Sequence, residues 1–217
     1  MAAVEQTARR VLPDNVATAW SGVSFQESEA SKSGFVVYAV ALIFVFLALA
    51  SLYNSWGLPL AILLSVPVAV LGAVVSVGAV HLADAKYVND IYMQISLVML
   101  IGLAAKNAIL VVEYADRIFF EQGVSLAEAA IGAAKMRLRP ILMTAFAFVL
   151  GVMPLVFADG VYATARNIMG VALVGGMTLA TLVGVLLYPA LYYAVARIGG
   201  FERKREKQRV YETESEK

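Results

Sequence analysis

Lys106 stands inside an apolar run, Ile91–Val112, with Asn107 beside it, and it is the one basic residue of the chain placed in such a run. A charge in hydrocarbon costs at least ~2.5 kcal/mol on insertion scales, and intramembrane ionisable groups commonly serve transport. Lys106 is six residues short of Val112, roughly 9 Å along a helix axis, so its ammonium could also reach the interface and do no chemistry. Gly102, Ala104, Ala105 and Ala108 surround it, and small residues mark close helix contact rather than lipid exposure. Thr144 lies four residues after Pro140 on the next apolar run, roughly 6 Å in by the same rise. Consecutive antiparallel helices would bring Lys106 and Thr144 to similar depth, although a membrane threonine can equally bond its own i−4 carbonyl. The 16 acidic residues all fall in loops, at run ends or in the tails. A desolvated ammonium either gives up its proton or faces a carboxylate. The reading favoured here is a carboxylate on a segment outside this chain.

The elements that position these residues follow from hydropathy. The chain is 61% hydrophobic and 15% charged, with a mean hydropathy of +0.78, a balance that points to a bilayer as solvent. Five apolar stretches approach or exceed the roughly 18–20 residues of a spanning helix: Gly34–Tyr53, Leu58–His81, Ile91–Val112, Pro140–Phe157 and Ile168–Ala196. The expected fold is therefore an all-α integral membrane protein of about five transmembrane helices. Pro59 and Pro140 are expected at helix starts, where a missing N–H costs nothing. Pro67 and Pro154 fall inside spans and should kink them. Ala172, Gly176, Ala180 and Gly184 recur every four residues on the fifth span, a strip expected to pack against another helix.

Between the third and fourth spans lies a polar segment, Glu113–Arg139. Ser125-Leu126-Ala127-Glu128 reads as a capping box that opens a helix, and Leu126, Ala129, Ala130 and Ala133 form a weakly apolar stripe. Lys135, Arg137 and Arg139 gather where the helix dipole favours them. The expectation is a short helix at the membrane surface, ended by re-entry at Pro140; a solvated helical loop is the other reading.

Basic residues set orientation. With five spans, Arg9, Arg10, Lys32, Lys86 and Arg166 fall on the side of the N-terminus, and eleven others on the opposite side. The C-terminus is therefore expected in the cytoplasm. Residues 1–33 read as a short helix (Ala2–Arg10), a break at Pro13-Asp14-Asn15 and an extended stretch Ala19–Gln26. A lone strand has no partner here, so these residues look like the trailing end of an extracytoplasmic domain. The tail 197–217 alternates charges and is expected to be solvated.

Composition also excludes. A net charge of +1 gives no basic stripe for nucleic acid. With no cysteine and a single histidine, His81, neither a thiolate nucleophile nor a Cys/His metal site can be built. No enzyme activity, metal or cofactor is expected.

Several motifs then match a known family. Gly102-Leu103-Ala104-Ala105-Lys106-Asn107-Ala108-Ile109-Leu110 resembles the tenth transmembrane helix of the resistance–nodulation–division (RND) pumps. Arg137-Leu138-Arg139-Pro140-Ile141-Leu142-Met143-Thr144, continuing to Gly151-Val152-Met153-Pro154-Leu155, resembles the entry to their eleventh. Leu52-Tyr53-Asn54-Ser55-Trp56 and Asn89-Asp90-Ile91-Tyr92 match at the flanking positions, and the similarity runs from about Trp20 to Arg197. The pattern is similar to that of the AcrB-type hydrophobe/amphiphile multidrug pumps.

The resemblance implies an inner-membrane proton antiporter of twelve helices in two halves. It implies a trimer joined to a periplasmic adaptor and an outer-membrane channel, exporting hydrophobic or amphiphilic small molecules. It further implies a relay in which aspartates of the first half face a lysine, a threonine and an arginine of the second. By motif these are Lys106, Thr144 and Arg137, with Asn107 counted beside Lys106. The proton is the coupling ion. The first half's aspartates and porter domain have no counterpart in the sequence, so the chain is expected to act as a C-terminal fragment or split subunit needing an N-terminal half. The alternative is a non-transporting membrane module, a degenerate remnant or a helper that docks on a full pump.

Overall fold

The computed structural model describes residues 2–13, 21–22, 39–53, 56–82, 90–160 and 163–199. Among these there is helix and no strand. The short first helix is found as α1 (Ala2–Val11). Most of the stretch expected to be extended, and the tail from Phe201, lie outside the described residues. The first apolar run is described as α2 (Ala39–Tyr53). The remaining elements are α3 (Gly57–Leu63), α4 (Val66–His81), α5 (Ile91–Gln122), α6 (Leu126–Val156) and α7 (Ala163–Ile198). Four apolar helical segments are long enough to cross a membrane, with α3 and α4 taken as one, and α2 is shorter.

Local chemistry sets the boundaries. The kink expected at Pro67 is a full break: α3 ends, Leu64 and Ser65 form a turn, and α4 begins with Pro67 in its first turn. There the missing N–H falls among donors that have no helical partner anyway. The Ile62 carbonyl accepts both the Ser65 N–H at 3.1 Å and the Ser65 hydroxyl at 2.6 Å, so the turn leaves that acceptor satisfied. Asp90 caps α5 by accepting from the Met93 N–H at 2.9 Å. At its other end Gly123 takes φ +68°, a left-handed position that side chains with a Cβ avoid. Three residues later the chain is helical again. The capping box is complete, with Ser125 and Glu128 each bonding the other's backbone N–H.

The helix that this box opens does not stop at Arg139. It runs through Pro140 to Val156 as one element, which corrects two expectations: no separate short surface helix lies between the spans, and Pro140 is interior rather than at a helix start. Proline at 140 cannot donate to the carbonyl at 136 and crowds it. The helix nevertheless continues because Ala133 and Ile141, on either side of Pro140, are both buried in one apolar cluster. The stripe Leu126, Ala129, Ala130 and Ala133 is buried in that same cluster with Ala115, Ile118 and Phe119 of α5. It faces the C-terminal extension of α5, and the two helices form a long antiparallel hairpin.

α7 is the hub, touching α3, α4, α5 and α6. Its approach to α4 is close enough to require glycine. A Cβ on Gly72 would sit 2.7 Å from the Leu179 Cβ and 2.9 Å from the Gly175 carbonyl oxygen. A Cβ on Gly175 would strike Ser76, and one on Gly176 would strike Leu100 of α5. Such contacts let backbones meet and gain dispersion where lipid supplies no hydrophobic drive. Two apolar clusters result, one around Leu100, Ala172 and Ala180, the other around Val111, Phe119, Tyr188 and Tyr192.

Candidate functional site

Lys106 and Thr144 lie on adjacent antiparallel helices. Lys106 is 16 residues before the end of α5 and Thr144 is 18 beyond the start of α6, so both sit roughly 24–27 Å from the hairpin turn. The equal depth read from the sequence therefore holds. Both residues are exposed. Lys106 makes no hydrogen bond or ion pair among the described residues. The Thr144 hydroxyl donates to the Ile141 carbonyl at 3.0 Å, an i−3 bond that holds it against its own helix.

The surroundings of Lys106 divide by helix face. Ala104, Ala105 and Ala108 are buried in the bundle. Gly102, one turn before Lys106, is exposed, and a Cβ there would meet nothing within 4 Å. Ile95 and Met99 continue this open stripe at 49% and 47% exposure. On α6 the open side carries Met143, Phe146 and Leu150 with Thr144, and Gly151 again has free space before it. In its most apolar window α6 is only 17% buried, against 50% for α5 and α7. The relay-motif residues Lys106 and Thr144 thus occupy the uncovered sides of α5 and α6.

Arg137 and Asn107 are placed differently. The Arg137 guanidinium stacks over the Tyr114 ring at 4.8 Å from its centroid, an attraction of about 0.5–2 kcal/mol depending on desolvation. Its Nε is buried without a hydrogen-bond partner. Asn107 is 3% exposed and points inward, its Nδ2 likewise buried and unpartnered. Of the four motif residues, two therefore look outward, one is half-buried at the α5–α6 contact, and one lies in the core.

The strip Ala172, Gly176, Ala180 and Gly184 is buried throughout. Gly176 admits Leu100 and the Ala69 carbonyl, whereas Gly184 makes room for the Tyr188 hydroxyl of its own helix. Sequence reading missed two polar features. Tyr188 is buried with its hydroxyl 3.4 Å from the Ala180 carbonyl oxygen. Tyr192, fully buried, faces the Asp116 carboxylate across the α5–α7 contact. Asp116 and Tyr192 are 76 positions apart, and no local pattern signals their meeting.

Comparison with known proteins agrees with this architecture. The sequence model of the AcrB/AcrD/AcrF family matches residues 1–196. The multidrug resistance protein MdtF of Escherichia coli is 43% identical over 187 residues, which is 86% of this chain and 18% of that protein. The toluene efflux pump membrane transporter TtgB of Pseudomonas putida is 42% identical over 200 residues, 92% of this chain and 18% of the relative. The multidrug export protein AcrF of Escherichia coli is 39% identical over 197 residues, covering 91% and 18%. The chain thus spans about a fifth of the length of these curated relatives. With four membrane-length apolar helices and a family match over most of its length, the chain is a multi-pass membrane protein that belongs to the AcrB/AcrD/AcrF family of RND-type efflux transporters.

Proposed function

We propose that this chain supplies the second-half part of the proton relay in an exporter of hydrophobic or amphiphilic molecules, and that it works with an N-terminal half carrying the carboxylates. The observation that carries this reading is the exposure of Lys106 and Thr144 on the uncovered sides of α5 and α6. An ammonium at this depth facing lipid would be costly; facing carboxylates of another segment it is satisfied. Gly102 and Gly151 leave room on the same two helices for a helix to come close.

The chemistry follows from charge. Ionised carboxylates attract the Lys106 ammonium, and a proton arriving on them removes that attraction. The lysine then has two positions, selected by one proton, and a helix whose packing follows it becomes the two-state element that alternating access requires. The Thr144 hydroxyl can leave its helix-internal bond to accept or donate to the carboxylates. Arg137, stacked on Tyr114, keeps a fixed positive charge nearer the hairpin turn. Asn107, next to Lys106, is turned toward the bundle interior. MdtF and TtgB, named for multidrug resistance and toluene efflux, suggest apolar substrates. A trimer in the inner membrane, with a periplasmic adaptor, an outer-membrane channel and a cytoplasmic C-terminus, completes the proposal.

The test is drug export by the full transporter containing this chain, in a host stripped of other pumps. Lys106→Met and Lys106→Ala should abolish export with normal membrane insertion. Lys106→Arg should nearly do so, because the planar guanidinium keeps its charge and differs in shape. Thr144→Ala should be milder, since water can replace a hydroxyl. Near-normal export by Lys106→Met would end the assignment. This chain alone should export nothing, and co-expression with an N-terminal half should restore export.

A further inference from the structure

The outer face of α6 changes character once along its length. Lys135, Arg139, Leu142, Phe146, Leu150 and Met153 recur at intervals of three and four residues, so they stand in one stripe. Leu142 is half-buried and the other five are exposed. The stripe begins with two cations and is apolar from Leu142 onward. Phe157, just past the end of α6, is 74% exposed. From Arg139 to Phe157 is 18 residues, roughly 27 Å of helix, against a hydrocarbon thickness of about 30 Å. Arg139 therefore stands at one edge of the hydrocarbon. Lys135 lies roughly 6 Å beyond it, at the level of headgroups.

The neighbouring helices put the edge at the same level. Ile118 comes within 3.6 Å of where a Gly132 Cβ would stand, and Arg137 lies over the Tyr114 ring. This antiparallel register sets Arg139 level with Val111 and Val112, directly before the charged residues that close α5, starting at Glu113. On α7, Gly170 meets Leu155 and Val156, which sets exposed Leu186 level with Arg139 and Tyr193 just beyond Lys135. Arg197 donates to the Tyr193 hydroxyl at 3.5 Å, and tyrosine is a residue that gathers at membrane surfaces. Arg117 of α5 has Glu121 at 3.9 Å. Lys135 and Arg139, by contrast, have no hydrogen bond or ion pair among the described residues. Glu128, the acidic residue of α6, is held by Ser125.

We infer that this stripe binds an anionic phospholipid. Lys135 and Arg139, roughly 6 Å apart along the helix, hold the headgroup phosphate between the ammonium and the guanidinium, and an acyl chain lies along Leu142, Phe146 and Leu150. The fit is one of charge and of length. From Leu142 to Met153 the apolar stripe runs roughly 17 Å, close to the depth of one leaflet. A zwitterionic lipid would offer the same chain but bring its own cation beside these two. A protein helix without acidic residues would cover the apolar part and leave both cations unpaired. The site stands apart from the relay. Lys135 is nine residues before Thr144 and Phe146 is two after it, each roughly half a turn round α6. The stripe therefore looks away from Thr144, and a lipid there leaves room for a carboxylate-bearing half.

A fluorophore on Phe146→Cys, in a cysteine-free full transporter, reports which lipid touches the stripe. The protein is reconstituted in phosphatidylcholine with a minor share of phosphatidylglycerol, and brominated chains, which quench on contact, are placed on one lipid and then on the other. Each basic group beside anionic headgroups favours them about fivefold. The phosphatidylglycerol-to-phosphatidylcholine ratio at position 146 should therefore exceed the bulk ratio by roughly tenfold or more. Lys135→Gln combined with Arg139→Gln should return it to near the bulk value, and Arg117→Gln should leave it high. Without any substitution at the cations, about 1 M salt, where the screening length is about 3 Å, should lower the preference severalfold. Quenching by neither lipid would show that protein covers this face. A bulk ratio with both cations present, a preference that survives the double substitution and high salt, or an equal loss in Arg117→Gln would show that the pair selects nothing. Any of these results overturns the lipid site. Lys106→Met should leave the preference unchanged, so this site and the relay fail separately.

Discussion

Replacing Gly72 by alanine adds one methyl group at the tightest point of the α4–α7 contact. The new Cβ would lie 2.7 Å from the Leu179 Cβ, 2.9 Å from the Gly175 carbonyl oxygen and 3.1 Å from the Gly176 Cα. Two of these three neighbours are backbone, and the third is anchored directly to it. None can swing aside, so α4 must move away from α7 along their shared face. Overpacking of this kind costs about 1–3 kcal/mol, and rigid neighbours place Gly72 toward the upper end. Against this, alanine in a helix interior gains about 0.5–1 kcal/mol over glycine. The net loss is then about 1–2 kcal/mol. Gly78, on the same helix, is the control: a Cβ there meets nothing within 4 Å, so Gly78→Ala keeps the gain of about 0.5–1 kcal/mol. The two variants should differ by about 2–3 kcal/mol, a factor of roughly 30–150 in the folded-to-unfolded ratio. Denaturant titration in detergent micelles, followed by circular dichroism of both variants, measures this. Equal stability of Gly72→Ala and Gly78→Ala would refute the claim that α4 and α7 meet backbone to backbone.

Two further outcomes follow from the hairpin and the charge pattern. Ser125→Ala removes the hydroxyl that holds the Glu128 N–H and should cost about 1 kcal/mol, seen as roughly fivefold faster amide exchange in the first turn of α6; unchanged exchange would show that packing on α5 alone holds that end. Since the chain has no cysteine, single cysteines at Ser24 and Ser215 report topology with an impermeant thiol reagent. Position 24 should label in intact cells and position 215 only after permeabilisation, and the reverse pattern would sink the proposed orientation.

The sequence by itself determined which segments are helical and where several of them begin. Apolar runs of membrane length have to bond their own backbones internally, and local chemistry marks the ends: Asp90 caps α5, and the Ser125–Glu128 box opens α6. The stripe at Leu126, Ala129, Ala130 and Ala133 was legible as a weakly apolar helix face because its period is that of a helix. Its burial against α5 was not, since periodicity marks an apolar face and not what covers it. Pro140 shows the same limit. A proline suits a first turn or a kinked interior, and only the burial of Ala133 and Ile141 on both sides of it, against α5 and the rest of one cluster, made the helix continuous. Lys106 and Thr144 could be singled out because a charge and a hydroxyl are conspicuous in apolar runs. That Lys106 faces outward, while Asn107 one residue on faces the core, depends on how α5 is rotated against α7, where Leu100 packs onto Gly176. The meeting of Asp116 with Tyr192 comes from the same register. It joins two helices with a third between them in the chain, and only packing brings such residues together.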